Sequence, residues 1–267
     1  MKFTQRSKTT KKVIFWLVTF FLLILIILGT VVFSSKSKPN QPQNQTIKPL
    51  KTLTIEPTQK HTATLIFLHG LGDKAENWEE ILRPLAENYP HFKFIIPQAP
   101  WISVSMNYGI PMPAWYNIKG NIKDTLNLKQ DKKGLLKSVS QIENIIQSEI
   151  DFRIEKIMVG GFSQGGSVAL AIGLTTRKKL NKIICLSGFL PCREEIFSWS
   201  EKKNTSLPFH FYHNVDDDMV TFEVGKKSSQ MIKEQGFLVN FREKDSWRGH
   251  IWPWEEIVIV MKRELEN

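Results

Sequence analysis

The 267-residue chain has only two cysteines, Cys185 and Cys192. Two cannot make a disulfide framework. With no CxxC pair and no Cys/His group at zinc spacing, a stapled or zinc-held module is excluded and no metal is expected. Cys185 lies in the apolar run KIICLSG and reads as a buried structural thiol. Acidic residues are scarce at the start: residues 1–60 hold ten Lys/Arg and one acid, Glu56. The formal charge of +10 sits there, because 61–267 carry 26 basic and 25 acidic residues. A nearly neutral body offers no broad basic surface for phosphates, which excludes a nucleic-acid partner. No internal repeat is present, so solenoids and propellers are excluded as well.

Between Lys12 and Lys36 there is no charge at all, and residues 13–33 read VIFWLVTFFLLILIILGTVVF. As a helix this run would be about 30 Å long, enough to span a bilayer. It predicts a transmembrane signal-anchor behind a basic segment, 1–12, with a cleaved signal peptide as the alternative. Five Lys/Arg precede the run, and Lys36, Lys38, Lys48 and Lys51 follow it. That slight bias predicts a single-pass membrane protein, its N-terminus cytoplasmic and its body on the far side. Secretion after cleavage is the alternative. Residues 34–60 are rich in Ser, Pro, Asn, Gln and Lys and read as a flexible tether.

From residue 61 short apolar runs alternate with longer amphipathic ones. Thr62–Leu68, Phe92–Ile96, Lys156–Val159, Lys182–Leu186, Pro208–Tyr212 and Phe237–Phe241 predict buried strands. Leu135, Val139, Ile142 and Ile146 recur at helical spacing, and 221–235 and 252–265 read as further helices. This alternation predicts one α/β domain over 61–267, with a mostly parallel sheet covered by helices on both faces. In such sheets active sites form at the carboxyl ends of the strands.

One loop there carries a sharp signal. Gly161-Phe162-Ser163-Gln164-Gly165 lies directly after the strand KIMV and before the apolar helix SVALAIGL. A Gly-x-Ser-x-Gly turn in that setting is a nucleophile elbow, with Ser163 held in a strained turn above the sheet. The glycines are required because a Cβ would strike the neighbouring strand and helix. A serine nucleophile needs a base, and the base needs an orienting acid, in the chain order Ser, Asp or Glu, His. Of six histidines, only His250 follows both Ser163 and the acidic loop Asp216-Asp217-Asp218. Spacing does not choose among those three aspartates. Two backbone amides must hold the oxyanion. They are expected at Gln164, after the nucleophile, and at Leu71 in the loop His69-Gly70-Leu71-Gly72. His69 is expected to fix that loop rather than act as base.

Several linked segments occur in order: Leu68-His69-Gly70-Leu71-Gly72-Asp73 with Trp78, Pro97-Gln98-Ala99-Pro100, Met112-Pro113-Ala114-Trp115-Tyr116, the Ser163 elbow, and Leu186-Ser187-Gly188-Phe189-Leu190-Pro191. Together they resemble the phospholipase/carboxylesterase family, which includes acyl-protein thioesterases and lysophospholipase-like esterases. The resemblance covers 61–267. It implies an α/β-hydrolase fold and a cofactor-free serine hydrolase of fatty-acyl esters or thioesters. It places the acid four residues after a histidine, which from His213 gives Asp217. It also puts Trp115 beside the acyl group. Asn214 stands where the family has glycine, Asn117 where an acid is usual, and Ile251 where a small residue follows the histidine. Two further readings are a small-ester or peptide hydrolase on the same triad, and an inactive membrane-tethered binding protein.

Overall fold

A computed structural model describes residues 48–120, 130–199, 205–245 and 249–266. Seven strands form the main sheet: β1 (Thr52–Ile55), β2 (Ala63–Leu68), β3 (Phe92–Pro97), β6 (Lys156–Phe162), β7 (Lys182–Leu186), β8 (Pro208–Asn214) and β9 (Leu238–Lys244). Their order is β1-β3-β2-β6-β7-β8-β9. β1 runs antiparallel to β3, and every other neighbouring pair is parallel. β4 (Trp101–Ser103) and β5 (Pro111–Pro113) form a separate two-stranded ribbon. The helices are α1 (Ala75–Asn88), α2 (Lys132–Asp151), α3 (Gln164–Thr175), α4 (Arg193–Trp199), α5 (Phe222–Glu234) and α6 (Trp254–Glu266).

The continuous apolar strands are explained by burial from both sides. Along β2, Ile66 and Leu68 enter one core with α2, α3 and α5, while Leu65 and Phe67 enter the other with α1 and α6. β6 and β7 divide alike, Val159 and Cys185 facing the first core, Met158 and Ile184 the second. A period of two therefore sorts apolar side chains onto two apolar faces, and no polar alternation is left to see. The expected α/β layering is borne out, and within 61–267 each expected strand and helix appears within a few residues of its bounds.

Two expectations are corrected. Thr52–Ile55 was expected within the tether of 34–60, but it pairs in register with Pro97–Phe94 as the edge of the sheet. Pairing with β3 overrides the polar, Pro-rich surroundings that make the stretch read as linker. The single-pass membrane placement and the membrane as partner are also withdrawn: among the described residues no helix is long and apolar enough to cross a membrane. The longest described helix, α2, has 20 residues but carries Lys132, Lys133, Lys137, Glu143 and Glu149. The most apolar, α3, has 12 residues, roughly 18 Å. The expected anchor at 13–33 lies outside the described residues.

Candidate active site

The elbow between β6 and α3 is built by close packing. Ser163 has φ 52° and ψ −118°, in the left-handed half of conformational space that L-residues avoid. A Cβ on Gly161 would lie 2.4 Å from the backbone carbon of Gly165, and one on Gly165 would lie 2.1 Å from the Leu68 carbonyl oxygen. Only glycine lets α3 start this close to β2 and β6. The Ser163 amide donates to the Leu186 carbonyl (2.8 Å), which ties the strained residue to β7.

Three segments far apart in sequence meet above it. The Ser163 hydroxyl lies 2.9 Å from His250 Nε2, and His250 Nδ1 lies 2.7 Å from Asp217 Oδ2. With Nδ1–H donating to the carboxylate, Nε2 is left as the acceptor for the serine proton. The other oxygen of Asp217 accepts the amides of Met219 (3.0 Å) and Val220 (2.9 Å), so the carboxylate is fixed on both sides. Of the three neighbouring aspartates, Asp217 is the one that reaches His250. Asp216 instead accepts the Gly249 amide (2.9 Å), steadying the histidine loop. The ring of Phe162 packs against that of His250 at 4.9 Å.

The other predicted residues fall into two groups. Gln164 opens α3, whose first amides have no intrahelical partner and favour negative charge. Among the described residues, neither the Leu71 nor the Gln164 amide finds an acceptor. His69 is buried; its Nδ1–H donates to the Gly70 carbonyl (2.7 Å), and Nε2 accepts the Ala99 amide (3.0 Å). Burial lowers its pKa, so the ring stays neutral and holds the loop, as expected. Trp115 is fully enclosed: its indole N–H donates to the His69 carbonyl (2.8 Å), and its backbone amide donates to Gln164 Oε1 (2.9 Å). It thus braces the two candidate oxyanion segments against each other.

Two supporting residues escaped the sequence reading. His213 is buried, and its Nε2–H donates to the Val220 carbonyl (2.7 Å), pinning the turn that grips Asp217. Burial pushes its pKa down and keeps it neutral. Asn214 is buried and donates to the Gly249 carbonyl (2.8 Å). Its signal was visible as a departure from the family's glycine, though what it does was not. Cys185 and Cys192 are buried free thiols, pushed up by burial to about 12 and about 11. Among the described residues no group of His, Cys, Asp and Glu could hold a metal ion.

Residues 51–253 match the phospholipase/carboxylesterase family. The chain belongs to that family. It is 40% identical to the acyl-protein thioesterase 1 of Yarrowia lipolytica over 229 residues, covering 82% of this chain and 98% of that protein. Identity to the acyl-protein thioesterase 1 of Schizosaccharomyces pombe is 36% over 185 residues, 68% of this chain and 81% of the relative. Among solved structures, Zea mays acyl-protein thioesterase 2 superposes with a TM-score of 0.72 at 28% identity, over 81% of this chain and 98% of that one. Family membership and the sheet order together make the fold an α/β-hydrolase fold and the protein a hydrolase of carboxylic esters or thioesters.

Proposed function

We propose that the protein is a serine hydrolase of fatty-acyl esters or thioesters, working through Ser163, His250 and Asp217. The observation that carries this reading is the unbroken hydrogen-bonded chain from Asp217 through His250 to Ser163, at 2.7 and 2.9 Å. His250 Nε2 takes the Ser163 proton as the serine oxygen attacks the carbonyl carbon. The carbonyl oxygen becomes an oxyanion facing the Leu71 and Gln164 amides, beside the positive end of α3. Collapse expels the alcohol or thiol, which leaves with the proton from His250. Water then repeats the sequence on the acyl-serine, and the carboxylic acid departs. Asp217 holds the imidazole in one tautomer and stabilises its charged form.

The fatty-acyl preference is supported by relatives named acyl-protein thioesterases at 35–40% identity. The test is hydrolysis of p-nitrophenyl esters from acetate to palmitate by the parent and by Ser163→Ala. Turnover should peak at medium or long chains and fall on the order of 10⁴–10⁶-fold in the variant. Near-parental rates in Ser163→Ala would overturn the mechanism, and a peak at acetate would overturn the fatty-acyl preference.

A further inference from the structure

A cavity of about 240 Å³ opens beside His250, on the side of the α1 and α6 core. His250 forms part of its wall, but neither Leu71 nor Gln164 does. The rest of its wall is mostly apolar. Trp78, Phe162 and Trp252 supply aromatic surface, with Ile81 on α1 and Ile251 beyond the histidine. Both indoles are fixed by their N–H groups: Trp78 donates to Asp73 Oδ2 (2.7 Å) and Trp252 to the Ser187 hydroxyl (2.9 Å). The polar tips are thereby satisfied inside the protein, and the cavity is shaped before any ligand arrives.

We infer that this cavity is the leaving-group subsite, taking the apolar part of an alcohol or thiol next to the scissile bond. The inference rests on the triad reading above. The tetrahedral carbon would carry four groups: the Ser163 oxygen, the oxyanion, the acyl chain and the leaving group. The oxyanion goes toward the Leu71 and Gln164 amides. The leaving atom must face His250, because that ring returns the proton to it. Of the triad only His250 walls this cavity, which Ser163, Leu71 and Gln164 do not line, so a group held there meets the proton-returning ring rather than the oxyanion donors. At roughly 30 Å³ per water-sized group it accepts about eight heavy atoms, the size of an aryl or short branched alkyl group.

The rim gives a second preference. Asp73 accepts the Lys74 amide (2.8 Å), the Asn77 side-chain amide (2.6 Å) and the Trp78 indole, all neutral donors. Its charge has no cationic partner among the described residues, so neutral or cationic leaving groups are favoured over anionic ones. Ile251, 69% exposed where relatives are expected to carry a small residue, extends the apolar wall outward.

The test uses butyrate esters with one acyl chain and varied leaving groups: methyl, phenyl, 2-naphthyl, 3-(trimethylammonio)phenyl and 4-sulfophenyl. Comparing each variant with the parent on the same ester cancels intrinsic reactivity. Ile81→Phe, which narrows the cavity, should lower the naphthyl-to-methyl ratio of kcat/KM about tenfold. Ile251→Ala, a surface change that leaves folding intact, should lower it about threefold. Relative to the parent, Asp73→Asn should lower the ammonio-to-sulfonate ratio of kcat/KM, and an unchanged ratio would overturn the charge preference. Equal losses on naphthyl and methyl esters in both isoleucine variants, or a change that follows acyl length instead, would overturn the assignment. Saturable binding of 2-naphthol to Ser163→Ala, weakened by Ile81→Phe, reads the cavity without turnover; its absence also overturns the assignment. Activity retained by Ser163→Ala would instead refute the triad reading.

Discussion

The side-chain amide of Asn214 donates to the carbonyl of Gly249 at 2.8 Å, joining the end of β8 to the residue before His250. Asp216, two residues further on, accepts the Gly249 amide. Both backbone polar groups of one glycine residue are therefore held by the segment that also carries Asp217. Histidine and acid are positioned by a single piece of backbone. In Asn214→Gly one of these bonds is lost, worth about 1 kcal/mol, or roughly fivefold in kcat. Steady-state kinetics should show that fall with KM unchanged, because the bond holds the histidine loop rather than the substrate. Asn214→Asp should fall at least as far, since a carboxylate cannot donate to the carbonyl.

Asp217→Asn should keep the fold and lose most of the activity. The carboxylate accepts the Met219 and Val220 amides through one oxygen and the His250 ring through the other. An asparagine can keep the first oxygen only by turning its NH2 toward His250 Nδ1, which forces the ring into the wrong tautomer. A loss on the order of 10⁴ in kcat follows, with the circular dichroism spectrum unchanged. A loss of tenfold or less would show that another group orients His250.

Gly165→Ala should fail structurally before it fails chemically. The new methyl would sit 2.1 Å from the Leu68 carbonyl oxygen and 2.5 Å from that of His69, both in backbone that cannot turn aside. The cost is on the order of 3 kcal/mol or more. Thermal unfolding should move down by several degrees, or the protein should be recovered only in aggregates.

Acid should loosen the attachment of α6. Glu264 is buried, its carboxylate 2.9 Å from Lys182 Nζ and 2.8 Å from His210 Nδ1. Burial alone would raise its pKa, but bonds from His210, Tyr212 and Lys182 outweigh that and bring it down to about 2 from 4.5. A carboxyl that holds its proton less tightly when folded adds stability above its unfolded pKa. That stability is lost as pH falls from about 4.5 to about 2. Urea midpoints should drop across that window in the parent and change less steeply in Glu264→Gln.

The sequence by itself determined the layering and singled out Ser163 as the candidate nucleophile. Strong local signals carried both: apolar runs of strand length, amphipathic runs of helix length, and a glycine-bracketed serine at a strand-to-helix junction. These depend on neighbours within a few residues, so they can be read along the chain. The histidine also followed, by order alone. β1 was missed because its stability comes from pairing with β3 some 40 residues away, against a local composition that reads as tether. The ribbon of β4 and β5 was missed because its strands are three residues long, β5 begins and ends on proline, and neither carries a period.

Only the tertiary structure decided which partners meet. Asp216, Asp217 and Asp218 are equivalent by composition, and spacing could not separate them. The backbone leaving β8 aims one at His250, one at the Gly249 amide, and brings the third close to Gly249. The bracing of the His69 loop by Trp115 follows from its hydrogen bond to the His69 carbonyl and its burial, which only the fold supplies. The role of Asn214 and the cavity beyond His250 were beyond any local pattern, because the first joins β8 to the histidine loop and the second is walled by α1, α6 and that loop. Sequence specifies which groups are available for chemistry; distances of 2.7–2.9 Å between residues 33 and 87 positions apart are set only when the sheet brings their loops to one edge.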